Sequence, residues 1–302
     1  MTRVVLQRLF SIIPTMLAAS VLIFCLLRVV PGDPVDALAV EGGISPERAA
    51  LLRQELGLTL PLPLQYGHWL GSAVTGNLGV SLRSDFSVGW LIWQALPRTA
   101  LLAATAIAIG LLVGVPLAFA AATWPRSPFA YLATFLTTVT VAVPGFALAI
   151  GGLLVFAVWL RWVPATQHVA LPAAILGLDF AGTLIRFLRA DLETQLGSDY
   201  VRTAIAKGQR RHLILAQHVA RNALITGITV LGLAFGNLLT GATIIETIFD
   251  WPGVGLLAID AIRARDYPIV QGTVLFMAFA FALVNVLADL LYAAADPRVR
   301  LD

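Results

Sequence analysis

Charge is scarce in this sequence. Only 12% of its 302 residues are Asp, Glu, Lys or Arg, about half the share of a soluble globular chain. Lysine occurs once, as Lys207, and cysteine once, as Cys25, so no disulfide can form within the chain. The four histidines (His68, His168, His212 and His218) are scattered without the spacing of a metal site, and no metal ligand set is expected. No G-x-x-x-x-G-K-[ST] phosphate loop, H-E-x-x-H or G-x-S-x-G occurs, which excludes ATP hydrolysis by a P-loop, a zincin and a serine-hydrolase elbow. No catalytic residue and no cofactor are therefore assigned to the chain. A net charge of +3 is too thinly spread to indicate nucleic acid.

What replaces charge is hydrocarbon: 59% of residues are hydrophobic and the mean hydropathy is +0.86. Runs of about 20 apolar residues cross a bilayer as helices. Leu9 to Leu27 is the first and is too long for a signal peptide. Thr99 to Pro125 is the second. Ser127 to Leu160 is the third, with Pro144 and Gly145 in "AVPGFALA" predicting a kinked, tilted helix. Ala170 to Leu188 is the fourth, Asn222 to Ile245 the fifth, and Tyr267 to Leu287, extended past Asp289, the sixth. The fold class predicted is all-α integral membrane with six spans. With the N-terminus inside, twelve of the 20 Lys and Arg residues lie inside and eight outside, four of those eight on the long 31–97 loop or at its end. Both termini are therefore expected in the cytoplasm. The chain divides into a first span (1–30), an extracytoplasmic segment (31–97) and a five-helix core (98–302) with an inner loop at 190–221.

The outer segment carries structural signals. "ISPERAALLRQELGL" offers Ser45 as N-cap, Pro46 at the first helical position, Glu47 in the first turn and Gly57 as terminator. Tyr66 and Trp69 in "LQYGHWLGSAV" suit a helix at the membrane interface. "ETIFDWPGVGLLAIDAIRARDYP" turns at Trp251, Pro252 and Gly253 before a short amphipathic helix.

The inner stretch "DYVRTAIAKGQRRHLILAQHVARNAL" (199–224) holds Arg202, Lys207, Arg210, Arg211 and Arg221, five of the 20 basic groups. It reads as helix, turn, helix: Val201, Ala204 and Ile205 form an apolar stripe, and Gly208 is a left-handed stop. A basic loop that only fixes orientation explains the charge. It does not explain a glycine-terminated helix with small residues on an exposed apolar side, which suits docking in a partner's cleft. Asp179 lies halfway along the fourth span, where a carboxylate costs about 2.5–3.5 kcal/mol and usually faces water or the bundle interior. It either attracts a cationic group of the cargo or bonds to a neighbouring helix or to Thr183. Asp289 reads as a structural bond between helices. Gly110/Gly114 and Gly232/Gly236 have G-x-x-x-G spacing, which permits close helix approach.

Several motifs appear in one order along almost the whole chain: "RVVPGDPV", "LRQELGL", "GNLGVSL", "LPRTALLA", "VPGFALA", "DYVRTAIAKG…HVARNAL", "ETIFDWPGVG", "RDYPIVQG" and "LADLLYAAADPRVR". Together they resemble the permease subunits of ABC transporters, specifically the B-type subunit of the dipeptide, oligopeptide and nickel subfamily. The sequence departs from that pattern at Thr226, where proline is usual, at Leu256, where a basic residue is frequent, and in a short loop between spans three and four.

The resemblance implies a non-catalytic inner-membrane subunit of an ATP-driven importer. Its implied partners are a second, C-type permease, two cytoplasmic ATPases that bind ATP and Mg, and an extracytoplasmic substrate-binding protein. Coupling to the ATPases would fall to Tyr200, Val201, Arg202, Thr203, Ala204, Lys207, Gly208 and Arg211. The translocation path would include Pro144, Gly145 and Phe146, with Asp179 and Thr183 joining on the sequence reading. Docking or gating at the outer face would involve Glu246, Asp250, Trp251, Pro252 and Gly253. Peptides are the expected cargo, with nickel chelates or another small solute on the same scaffold as the alternative. A secondary ion-coupled transporter is the rival from another class, although neither inverted repeats nor an intramembrane ionisable relay occurs.

Overall fold

The computed structural model describes residues 10–29, 35, 45–215 and 219–295, and it is built from helices. Among the described residues the only β pairing is an isolated bridge between Val80 and Ser87. In chain order the helices are α1 (Ile12–Val29), α2 (Pro46–Glu55), α3 (Leu62–Val74), α4 (Val88–Thr123), α5 (Pro128–Ala142), α6 (Gly145–Gly152), α7 (Ala170–Leu196), α8 (Asp199–Ala206), α9 (Arg211–Ile214), α10 (Ala220–Ile248), α11 (Val254–Arg263) and α12 (Tyr267–Ala295). Leu153–Trp159 continues α6 as π-helical turns. The chain forms two compact units. One comprises Met1–Val5, Thr99–Trp251 and Leu283–Asp302, the other Leu6–Arg98 and Pro252–Ala282.

Four helices among the described residues are long and apolar enough to cross a membrane: α1, α4, α7 and α12. The pair α5 and α6 with its π-helical extension makes a fifth if counted as one broken span. The expected fifth span, Asn222 to Ile245, falls within α10, whose 29 residues have the length to cross. Many α10 side chains lie outside the described residues, as do the side chain of Asp289 and "PGDP" at 31–34.

The third span differs from its prediction. The sequence predicts a kink, whereas the axes of the two halves turn by 108°. Proline explains the break. Pro144 has no N–H for the Thr140 carbonyl, and it forces Val143 out of the helical region, to φ −109° and ψ 123°. Gly145 has no neighbour within 4 Å of a Cβ built on it, so the bend does not depend on its missing side chain.

In the first unit, glycines bring α4 and α7 together. A Cβ on Gly110 would run into the Phe180 ring, one on Gly114 would press on Ala181 and Leu184, and one on Gly177 would lie 2.8 Å from the Ala106 carbonyl. The first G-x-x-x-G thus packs within the chain, and Gly232 does the same against Ala288 of α12. Around these contacts lies a core of Leu102, Leu176, Phe180, Leu184, Ile245 and Phe249.

In the second unit, α2 begins as the sequence predicts. The Ser45 hydroxyl accepts the Arg48 N–H at 3.2 Å, and the helix ends at Gly57, with φ +63°. Tyr66 and Trp69 of α3 pack on Phe24 of α1, with ring centroids 5.3 and 6.0 Å away. The Tyr66 hydroxyl lies 2.8 Å from the Ser20 Oγ. Arg28 donates to Gln65 Oε1 through Nη2 at 2.7 Å.

Candidate functional site

The inner segment begins where α7 runs past Leu188, the predicted end of the span, to Leu196. Ser198 takes up an extended conformation (ψ 157°) at the start of α8, and its hydroxyl donates back to the Gln195 carbonyl. The Tyr200 hydroxyl donates to Gln195 Oε1 at 2.8 Å. At the other end, the Gly208 N–H bonds to the Ile205 carbonyl at 2.9 Å and the Gln209 N–H to the Ala204 carbonyl at 3.1 Å. With Gly208 at φ +74°, these two bonds form a Schellman stop. The predicted glycine terminator is present with its full hydrogen-bond pattern, and α8 is closed at its C-terminus.

The apolar stripe divides in two. Val201 and Ala204 are buried, packed with Ala118, Ala122, Leu188, Leu192, Ile214, Val219 and Ala223. Ile205 is 61% exposed, and Arg202, Thr203, Lys207 and Gly208 are exposed beside it. Ala204 therefore holds α8 against the rest of its unit instead of lying on the exposed side, as the sequence reading had it. A helix of only eight residues has two faces, and the Val201–Ala204 spacing serves the inner one. The side chain of Arg211 lies outside the described residues.

Deeper in the same unit, α5 and α7 run antiparallel. Arg189 Nη1 donates to Thr134 Oγ1 at 3.2 Å, and a Cβ on Gly182 would strike Thr140. This register brings Asp179 level with Val143, at the break between α5 and α6. Asp179 is half-buried and makes no hydrogen bond or ion pair among the described residues, Thr183 included. The structural alternative for Asp179, a bond to Thr183 or to a neighbouring helix, is thus not formed among the described residues. Phe146 is 52% exposed just beyond the break, where Pro144 and Gly145 are also exposed.

Two arginines in this region carry no role in the sequence reading. Arg186 and Arg189 line a cavity of about 220 Å³ with Thr134, Thr137, Thr138 and Glu193. The signal was the recurrence 182, 186, 189, 193, which is one face of a helix. It was hidden because guanidinium groups at a span's inner end also serve as topology signals.

The turn after α10 is less accessible than expected. Glu246 and Trp251 are fully or almost fully buried and Gly253 is buried, while Asp250 is exposed. Glu246 accepts the Thr99 hydroxyl at 2.7 Å, and its carbonyl accepts the Trp251 N–H at 2.8 Å. The Gln167 N–H bonds to the Phe249 carbonyl at 3.2 Å. Direct contact with a docking protein through Glu246 or Trp251 is thus blocked in this structure, and both residues hold the turn in place.

The second unit encloses a cavity of about 1100 Å³, lined by Arg28, Gln65, His68, Trp69, Arg83 and Tyr267 among others. One wall is fixed by Asp266, which accepts the Ser81 hydroxyl at 2.6 Å and the Leu82 N–H at 3.1 Å. Nothing local in the sequence indicates a pairing across 185 positions.

Residues 114–301 match the model of the binding-protein-dependent transport system inner membrane component, and residues 1–84 match the N-terminal model of the same kind of membrane component. A Brucella suis biovar 1 protein with a provisional peptide-permease name is 39% identical over 318 residues, covering 99% of each chain. The glutathione transport system permease protein GsiC of Escherichia coli O6:H1 is 37% identical over 309 residues, again 99% of each. The dipeptide transport system permease protein DppB of Escherichia coli K12 is 36% identical over 341 residues, 99% of each. A chain of the MetNI methionine ABC transporter, crystallised in inward-facing conformations, superposes with a TM-score of 0.53 at 14% identity. It covers 68% of this chain and 97% of its own, which is a likeness of fold.

Proposed function

This chain belongs to the family of binding-protein-dependent transport system inner membrane components, and from that premise we propose that it is the permease subunit of an ATP-driven peptide importer. The family's members are transport subunits of the inner membrane, not enzymes, and they work with a substrate-binding protein. Peptide cargo is favoured by the peptide, dipeptide and glutathione names of relatives that match over 99% or more of this chain. The finer assembly follows the same reading: a second, C-type permease beside this one, two ATPase subunits beneath, and ATP with Mg held by those subunits.

The observation that carries coupling is the construction of α8. Its inner face is locked by Val201 and Ala204, its C-terminus is closed at Gly208, and its outer face offers Arg202, Ile205 and Lys207. A helix anchored this way transmits displacement to α7, whereas an unanchored loop absorbs it. Closure of the ATPase pair would push on α8 and tilt the spans through α7.

The test follows from the burial pattern. A bulky residue at Ala204 disturbs the chain's own packing, so the informative change is Ile205→Asp, on the exposed face. In the reconstituted assembly it is expected to lower ATP-driven uptake at least tenfold and to weaken co-purification of the ATPase subunits, with membrane insertion unchanged. Full uptake with bound ATPases removes α8 from the coupling path. Uptake by the lone chain driven by an ion gradient would favour a secondary transporter instead.

A further inference from the structure

We propose that the groove between α5 and α7 is a two-ended binding track for a short peptide, with its ammonium end at Asp179 and its carboxylate end at Arg186 and Arg189. This rests on the peptide-importer reading above and assigns the chemistry of its membrane-embedded site.

On α7, Gly182, Ile185 and Arg189 meet α5, and 179, 183, 186 and 190 form the adjoining face, which flanks that contact along the helix. At its Asp179 end two features favour a cation. One is the carboxylate itself, half-buried and without a partner among the described residues. The other is the C-terminus of α5, which the antiparallel register brings to the same level. Its Thr140 carbonyl has lost its donor to Pro144, and the last turn of a helix carries partial negative charge.

At the other end the chemistry reverses. The Arg186 guanidinium makes no ion pair among the described residues and rests over the Phe187 ring at 4.8 Å. Arg189 donates to Glu193 through Nε at 2.7 Å and to Thr134 through Nη1 at 3.2 Å, which fixes its position. The hydroxyls of Thr134, Thr137 and Thr138 donate to carbonyls four residues back, at 2.8 to 2.9 Å. An anion in this cavity is therefore held by the guanidinium groups, and Thr134 orients one of them. Two arginines against Glu193 leave one net positive charge, which matches one carboxylate.

Length selects the ligand. Asp179 and Arg186 are seven residues apart, about 10 Å of helical rise. An extended tripeptide is about as long. The same spacing argues against an anionic lipid headgroup in the Arg186 pocket. Its acyl chains would run along the groove past Thr183 onto the Asp179 carboxylate, and a charge facing hydrocarbon is strongly disfavoured.

The test is equilibrium binding of radiolabelled trialanine to the purified assembly in phosphatidylcholine nanodiscs, without the binding protein. Unlabelled trialanine, trialanine amide and N-acetyl-trialanine serve as competitors. The amide and the acetyl form should each compete at least tenfold more weakly than trialanine, the effect of losing one charge-assisted bond. Arg186→Gln should weaken trialanine binding about tenfold and bring the amide level with the free acid. Arg186→Lys should restore part of the difference. Asp179→Asn should remove discrimination against the acetyl form alone. Equal competition by all three, variants that shift all three alike, or absence of trialanine binding would each overturn the proposal. So would an Arg186→Gln assembly that loses retained phosphatidylglycerol in native mass spectrometry but keeps its trialanine affinity, which would assign the pocket to lipid. Uptake of trialanine with ATP and the binding protein is measured in parallel. If uptake persists without end-group preference, the track falls and the importer stands; if no peptide is taken up, the importer reading itself fails.

Discussion

Single residues carry more of this structure than their scarcity implies. Asp266 is buried, accepts bonds from Ser81 and Leu82, and lies 3.5 Å from the Ile269 N–H at the start of α12. Asp266→Ala strands the Ser81 hydroxyl and uncaps the helix. It should cost about 1–3 kcal/mol, read as a lower thermal midpoint of the purified chain. Glu47 works at the surface. The Ser45 hydroxyl, and then its own backbone N–H, hold its carboxyl below the usual glutamate range. A depressed folded-state value means the contribution is complete above about pH 4.3, the ordinary glutamate value, and is lost as pH falls through the folded value. The protection of the Arg48 and Ala49 amides, taken relative to intrinsic exchange at each pH, should therefore fall in acid, and Glu47→Gln should flatten that dependence. The Ser45 and Gly57 signals were legible in the sequence because each is a local rule about the backbone of one turn. The Ser81–Asp266 bond was not legible, because only folding brings those positions together.

Elements show the same division between local and distant causes. The capped α8 was legible because Gly208 and the apolar spacing lie within ten residues of each other. Which face is exposed was not, since Val201 and Ala204 are buried by Leu188, Leu192 and Val219 from other elements. The break at Pro144 was legible as a kink. Its size was not, because proline dictates the loss of one bond and the conformation of Val143 but not the direction in which α6 leaves. In the structure α6 leaves at 108°. Restoring the N–H with Pro144→Ala allows α5 to continue toward α6. Spin labels at Phe129 and Val158, both exposed, are 29 residues apart, and a straight helix would separate them by about 44 Å. Pulsed electron resonance should show the distance lengthening toward that value in the variant. Peptide uptake should fall with it, because the α5 terminus no longer faces Asp179.

At the scale of the molecule, helix length is set against the thickness of a membrane. The 36 residues of α4 rise about 54 Å, well beyond the roughly 30 Å of a hydrocarbon core, so part of α4 must stand outside the membrane. Its Val88–Arg98 portion belongs to the unit that contains α2, α3 and the large cavity. Orientation rests on the distribution of arginine, and direct labelling tests it. Cys25 is exposed and must first become serine. A cysteine at Lys207, exposed beyond the end of α8, should then react with a membrane-impermeant maleimide in inside-out vesicles alone. One at Asn77, exposed after α3, should react in right-side-out cells alone. Labelling of both positions from the same side would overturn the proposed arrangement, in which α8 meets the ATPases on the face opposite to the one that receives cargo.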